Sequence, residues 1–291
     1  MFEGFTEQII RVDGIDIFAR VGGEGPPLLL LHGYPQTHVM WHKVVPELSK
    51  RFTCVCADLR GYGASAKPPT VADHATYSKR AMAADMVGVM EQLGFKSFRI
   101  LAHDRGARVA HRMAMDWPDR VERMVLLDIA PTREMYANTT DAFARTYWHW
   151  FFLIQPSPLP EEAILADPEA FVRRKCGSWG SGGEALSEEA LQAYIDGFSD
   201  PETIRAACED YRAAATIDIA HDDADGDRKV TCPAHVLWGA KGAIEAHFDC
   251  LALWEQRVER VTGGTIDCGH YLAEERPDDV LAQSIPFLCV D

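Results

Sequence analysis

An α/β fold, with a mostly parallel sheet and a helical cap inserted into it, is predicted for this 291-residue chain by three features of its sequence. Apolar runs recur at Leu28–Leu31, Thr53–Ala57, Phe98–Leu101, Met124–Leu127, Ala234–Trp238 and Val261–Ile266. Their shortness and continuity fit strands buried on both faces. Helix-period segments lie between them, and strand alternating with helix implies a parallel sheet that binds ligands at the carboxyl ends of its strands. The alternation stops between about Thr132 and Asp227, a stretch rich in Trp, Tyr, Phe and helix formers with no convincing strand. The predicted organisation is a core of residues 1–131 and 227–291 carrying a helical cap, residues 132–226.

Taken in order, Glu7–Val12 and Ile15–Arg20 flank Asp13-Gly14, a hairpin signal. The run ending at Leu31 leads into His32-Gly33-Tyr34-Pro35, where glycine lets backbone approach a ligand. Asp58-Leu59-Arg60-Gly61-Tyr62-Gly63-Ala64-Ser65 follows the next run, and its glycines and charges are read as shaping a loop. A helix is expected over Tyr77–Leu93 behind a Thr76 cap, and another over Gly106–Trp117, stopped by Pro118. The cap carries Gln155-Pro156-Ser157-Pro158-Leu159-Pro160 and Gly180-Ser181-Gly182-Gly183.

Composition narrows the class of partner. A formal net charge of -15 argues against nucleic acid and anionic membrane, since phosphate recognition needs clustered basic surface. The segment Met1–Ile10 lacks a basic region followed by an apolar stretch, and no apolar run approaches the roughly 20 residues of a membrane span, so a cytoplasmic location is the default expectation. The eight cysteines show no paired CxxC spacing and are expected to be reduced and mostly buried. Cys268 lies near His270, but nothing around it in the sequence suggests the electropositive setting of a reactive thiol.

The segment Ile100-Leu101-Ala102-His103-Asp104-Arg105-Gly106-Ala107-Arg108 carries the chemistry. A strand signal, a small-x-nucleophile-x-Gly turn and a helical pattern make the strand–turn–helix setting of a nucleophile elbow. Serine at such a turn makes an acyl-enzyme. Asp104 stands there instead. A carboxylate that displaces a leaving group from saturated carbon makes an alkyl ester, which water can cleave at the carbonyl. Alkyl halides and epoxides fit that chemistry; ordinary esters and amides do not. Capping of the following helix is the plain structural alternative. The oxyanion donors of an elbow are the amide after the nucleophile, here Arg105, and one from the loop after the third strand, here Tyr34.

The second half-reaction needs a base, and Asp267-Cys268-Gly269-His270-Tyr271-Leu272 offers His270 in the chain order nucleophile, acid, histidine. Two positions compete for the acid that orients its ring. The loop Trp238-Gly239-Ala240-Lys241-Gly242-Ala243-Ile244-Glu245 has lysine and glycine where an aspartate would be expected, whereas Asp128, ending Val125-Leu126-Leu127, is better placed. Arg105 and Arg108 are three apart on the helix that Asp104 opens, a natural clamp for a substrate carboxylate, with salt bridges to cap acids as the structural alternative. Tyr147-Trp148-His149-Trp150 and Glu209-Asp210-Tyr211-Arg212 cluster ring N–H and phenol donors of the kind a departing halide needs in a dry pocket, although cap aromatics are more often packing.

Together these residues resemble the haloacetate dehalogenases, in particular the fluoroacetate branch of the α/β-hydrolase superfamily. The resemblance spans almost the whole chain: His32-Gly33-Tyr34-Pro35-Gln36-Thr37, Asp58-Leu59-Arg60-Gly61-Tyr62-Gly63, His103-Asp104-Arg105-Gly106-Ala107-Arg108, Asp128-Ile129-Ala130-Pro131-Thr132, Tyr147-Trp148-His149-Trp150, Asp210-Tyr211-Arg212-Ala213 and Gly269-His270-Tyr271. It implies an α/β-hydrolase core with Asp104 as nucleophile, His270 as base with Asp128 behind it, Arg105 and Arg108 on the substrate carboxylate, and His149, Trp150 and Tyr211 on the halide. It implies a homodimer as well, and neither metal nor organic cofactor. One departure is Ala102, where the family's elbow has glycine.

The expected activity is hydrolysis of short 2-haloacids to halide and a hydroxyacid. Epoxide hydrolysis is the nearest rival, sharing the carboxylate nucleophile but needing paired cap phenols, for which Tyr211 with Tyr147 or Tyr194 would have to serve. A non-catalytic binding protein on the same fold would be expected to lack a triad member. A serine esterase fits least, because neither Ser65 nor Ser97 stands at an elbow.

Overall fold

The computed structural model describes residues 1–180 and 186–290. Eight strands, β1 (Thr6–Val12), β2 (Ile15–Gly22), β3 (Pro27–Leu31), β4 (Thr53–Ala57), β5 (Phe98–His103), β6 (Val121–Leu127), β7 (Ala234–Gly239) and β8 (Val261–Ile266), form one sheet in the order β1-β2-β4-β3-β5-β6-β7-β8. The first two pair antiparallel through Asp13 (φ 46°) and Gly14 (φ 86°), two successive positive φ values that match the turn to strand twist. β2 also runs antiparallel to β4, and every later pairing is parallel. β3 to β7 are buried along nearly their whole length. β8 departs from expectation. It closes the sheet as an edge strand with one neighbour, so only Ile266 is buried, while Thr262, Gly263 and Thr265 are exposed.

On the core side the helices are α1 (Val45–Leu48), α2 (Lys79–Gln92) and α3 (Arg105–Asp116). α2 begins two residues later than predicted. Thr76 lies in a short 3-10 turn, and it is Ser78, extended at ψ 153°, whose hydroxyl accepts the Ala81 amide and caps the helix. Between β6 and β7 come α4 (Thr132–Ala137), α5 (Asp141–Thr146), α6 (Trp148–Leu153), α7 (Leu159–Leu165), α8 (Pro168–Trp179), α9 (Glu188–Phe198), α10 (Pro201–Ala215) and α11 (Ile217–Asp225), with no strand among the described residues. Of the glycine–serine stretch noted there, Ser181, Gly182 and Gly183 lie outside the described residues. The last elements are α12 (Ala243–His247), α13 (Cys250–Glu255), α14 (Leu272–Glu275) and α15 (Pro277–Leu288). No helix among the described residues is long and apolar enough to cross a membrane. All eight cysteines are free thiols, seven of them buried.

Glu274 joins the inserted helices to the sheet domain. Its buried carboxylate accepts Gln36 Nε2 at 2.5 Å and the Tyr194 hydroxyl of α9 at 3.0 Å. Burial pushes this carboxyl up to about 8, against the pull of Tyr194 and Lys43. An acid raised on folding contributes stability that is fully present below its unfolded value and is lost as pH climbs through its folded one. Glu274→Gln removes the linkage, so its melting temperature should fall less than that of the parent between about pH 5 and pH 8. The difference should be several degrees, at about 2–4 °C per kcal/mol for a large domain. Parallel melting curves across that range by scanning calorimetry check it; superimposable pH profiles would contradict it.

Candidate active site

The carboxyl ends of β3, β5 and β6, with the turn after β8, converge on Asp104, Asp128 and His270. Asp104 follows β5 with φ 45° and ψ −113°, a conformation disfavoured for a residue with a Cβ. Its side chain makes no cap hydrogen bond to α3, which sets aside the capping alternative. Two glycines make the turn possible. A Cβ on Gly33 would stand 2.6 Å from the Cβ of Asp104, and one on Gly106 would stand 2.5 Å from the carbonyl oxygens of Leu31 and His32. Ala102 lies one position before the end of the strand, fully buried in regular register with Leu31 and Leu126, so its methyl is accommodated without a break in β5.

Asp104 is buried, and the Tyr34 amide donates to its Oδ2 at 3.2 Å. Burial alone would push this carboxyl up; His270, His103, Arg105 and Arg108 outweigh that and hold it below the ordinary carboxylate range. Arg105 opens α3, so its amide is one of the first-turn donors without a partner inside the helix. His270 Nε2 lies 4.0 Å from Asp104 Oδ2, and Nδ1 lies 2.5 Å from Asp128 Oδ2. The other Asp128 oxygen accepts the Gly239 amide at 2.9 Å. Burial pushes the Asp128 carboxyl up, and the hydrogen bonds from His270 and Gly239 oppose it. Like Asp104, Asp128 has a positive φ, 49°, so both carboxylates sit on sharply turned strand ends. The competing loop after β7 contributes backbone alone to this acid. Cys268 offers no alternative nucleophile, because burial pushes its thiol up to about 12.

The two arginines divide. Arg105 pairs with Asp210 of α10, Nη2 to Oδ1 at 2.6 Å and Nε to Oδ2 at 3.0 Å, and lies over the Tyr211 ring at 4.0 Å. The salt bridge to an acid of the inserted helices is therefore present, yet Nη1 of Arg105 is buried without a hydrogen-bond partner. Asp210 also accepts Lys79 and the Tyr62 hydroxyl, and this cationic company holds its carboxyl far below the ordinary range. Arg108 has no carboxylate partner among the described residues: it donates to Thr132 Oγ1 and Met135 Sδ, both at 3.1 Å, and lies over the Trp150 ring at 4.4 Å. Its Nε is buried and unpaired.

His149, Trp150 and Tyr211 are all buried, on α6 and α10. The His149 ring lies 5.8 Å from Tyr211 and stacks at 6.1 Å on Tyr34, whose own ring is 5.1 Å from Tyr211. The predicted donors are thus brought against the loop that supplies the Tyr34 amide. Tyr194 is held elsewhere, on Glu274, whereas the Tyr147 hydroxyl is buried and unpaired. The Asp58 loop is structural as read: its carboxylate accepts the amides of His38 and Ala64, and the Leu59 amide donates to His32.

Four residues at the site were given no individual role in the sequence reading, although His103 and Asp210 stand in its motifs. His103 Nε2 contacts the His270 carbonyl at 2.9 Å, and the Trp179 ring lies 5.1 Å from that of His270. Lys175 is buried at 3.4 Å from His149. Asp210 is the Arg105 partner. The spacing of Lys175 and Trp179, one turn apart on a helix, was the available signal for that pair. Among the described residues, no group of His, Cys, Asp and Glu could hold a metal ion.

Residues 26–277 match the model of the alpha/beta hydrolase fold family. The chain is 45% identical over 280 residues to a fluoroacetate dehalogenase from Burkholderia sp., covering 96% of this chain and 92% of that one. It is 32% identical over 291 residues to a soluble epoxide hydrolase from Corynebacterium sp. (strain C12), covering 97% and 96% respectively. A solved structure from Nostoc sp. PCC 7120, provisionally assigned as an alpha/beta hydrolase, superposes with a TM-score of 0.99 at 51% identity over 100% of both chains. With an elbow carboxylate, an acid–histidine pair and an eight-stranded sheet in this order, the chain belongs to the α/β-hydrolase family.

Proposed function

We propose that this hydrolase is a hydrolytic dehalogenase of short 2-haloacids, releasing halide and, from a haloacetate, glycolate, with no metal or organic cofactor. The observation that carries the reading is a carboxylate elbow flanked by a buried guanidinium, Arg108, that has no acid of its own. A cation left unpaired in a buried site favours an anionic ligand. The likeness to a fluoroacetate dehalogenase supports the same substrate class.

In this mechanism Arg108 and the free Nη1 of Arg105 hold the substrate carboxylate. Asp104 Oδ1 attacks the carbon bearing the halogen, and the carbon–halogen electron pair leaves with the halide toward His149, Trp150 and Tyr211. The product of that step is an ester of Asp104. His270, oriented by Asp128, takes a proton from water, and the hydroxide adds to Cγ of Asp104. Oδ2 becomes the oxyanion, held by the Tyr34 amide that already contacts it and by that of Arg105. Collapse expels the glycolate alkoxide, which recovers the proton from His270. The inserted helices, residues 132–226, serve as the cap that keeps the halide site dry.

Epoxide hydrolysis is the second reading, favoured by the Corynebacterium relative and by the unpaired Tyr147 hydroxyl. Fluoroacetate and styrene oxide, offered to the same enzyme with fluoride and diol as readouts, separate the two. Diol without fluoride would reject the dehalogenase reading. Tyr211→Phe should lower fluoride release by about 10²-fold, the scale of a lost transition-state donor, and chloride release by much less, because fluoride leaves with the greater need for hydrogen bonds. Paired kcat values for fluoroacetate and chloroacetate check this; equal losses would remove Tyr211 from the halide site.

A further inference from the structure

Five buried side chains, Lys79, Arg105, Arg112, Arg212 and Arg257, carry their charge against a carboxylate. Arg108 and Lys175 are buried cations with no ion pair among the described residues, and both lie at the candidate site. The proposed function accounts for Arg108. Lys175 is 3% exposed on α8, with Nζ 3.2 Å from the Trp179 ring centroid and 3.4 Å from Nδ1 of His149. An unpaired ammonium inside a protein is costly, and burial pulls this amine well below its ordinary value, with Asp104 pulling the other way.

The chemistry gives that cation a task. In the proposed first step the negative charge of Asp104 vanishes into an ester, and an equal charge appears on the halide. Charge therefore moves from the elbow toward His149. A charged lysine has donors only, so its contact with Nδ1 requires that nitrogen to be an acceptor and leaves Nε2 as the ring's N–H. A neutral amine at the same place could accept from an Nδ1–H, and Nε2 would then present a lone pair, which repels an anion.

Resting on the halide role proposed for His149, we propose that Lys175 is a positioning residue: it fixes His149 as an Nε2–H donor and places a positive charge behind that donor as the halide departs. The charged and titratable groups that face this pair are Asp104 from the elbow, Arg105 from α3, His270 from the turn after β8, Cys176 on its own helix, and Tyr34, Tyr147 and Tyr211, whose rings lie against His149.

Lys175→Met and Lys175→Gln, with His149→Asn and the double variant Lys175→Met/His149→Asn, test it. Steady-state kinetics on fluoroacetate and chloroacetate should show kcat for fluoride falling about 10- to 100-fold in either lysine variant, the range of one charged hydrogen bond, with a smaller loss for chloride and little change in KM. Because Lys175 acts through His149, the double variant should be no slower than His149→Asn alone. Additive losses, or losses equal for the two halides, would overturn the proposal. Imidazole ¹⁵N shifts supply a readout that needs no turnover: His149 should be the Nε2–H tautomer in the parent and lose that preference in Lys175→Met. An Nδ1–H tautomer in the parent overturns the inference, whatever the activity. The Nε2–H pattern in an enzyme that releases no halide from any haloacid would instead reject the dehalogenase reading and leave the lysine–histidine assignment standing.

Discussion

Asp104→Asn is expected to reduce halide release from both fluoroacetate and chloroacetate by at least about 10⁴-fold, the scale on which loss of a hydrolase nucleophile is felt. The amide is nearly isosteric, and asparagine tolerates the positive φ that Asp104 adopts, so fold and ligand affinity should persist while attack does not. Halide release should be followed with intact mass, because deamidation at position 104 would restore the acid and with it the activity. The same chemistry predicts where oxygen goes. A single turnover in heavy-oxygen water should place label in the peptide containing Asp104, since water attacks the ester carbonyl. Label found in glycolate alone would mean that water attacks the substrate directly, and persistent turnover by a verified amide variant would have the same meaning.

His270→Asn should separate the two half-reactions. Alkylation of Asp104 needs no base, but hydrolysis of the ester does, and asparagine cannot accept the proton from water. Rapid mixing with fluoroacetate should give a burst of fluoride equal to the active sites, followed by a rate lower by at least about 10⁴-fold. The protein should gain the mass of one carboxymethyl group, carried on the Asp104 peptide. The 2.5 Å contact from Asp128 to His270 makes a further distinction. Asp128→Asn should leave the burst and slow the second step, because it misorients the ring without removing it. A His270 variant with neither burst nor adduct would place the histidine in the first step.

Much of this site was legible because its chemistry is local in sequence. The elbow reads as strand, turn and helix within nine residues, and Asp128 announces itself as an acid ending an apolar strand. The parallel order of the sheet followed from continuous apolar runs separated by helices. What escaped depends on distant partners. Asp210 is 105 positions from Arg105, so no periodicity could reveal that one arginine of the pair is mostly engaged by a carboxylate of α10. Lys175 was given no role, since only packing buries it. The exposed face of β8 was missed for a related reason: an apolar run shows that a strand exists but not that it ends a sheet. The cap of α2 was a closer matter, with Thr76 and Ser78 both suitable in chemistry and backbone geometry choosing the serine.

The bond between Arg105 and Asp210 also restricts how α10 can move. Asp210 ties α10 to α3 through Arg105, to α2 through Lys79 and to the β4 loop through Tyr62. Lifting that corner would break three buried contacts of one carboxylate at once. Hinged gaping there is correspondingly costly.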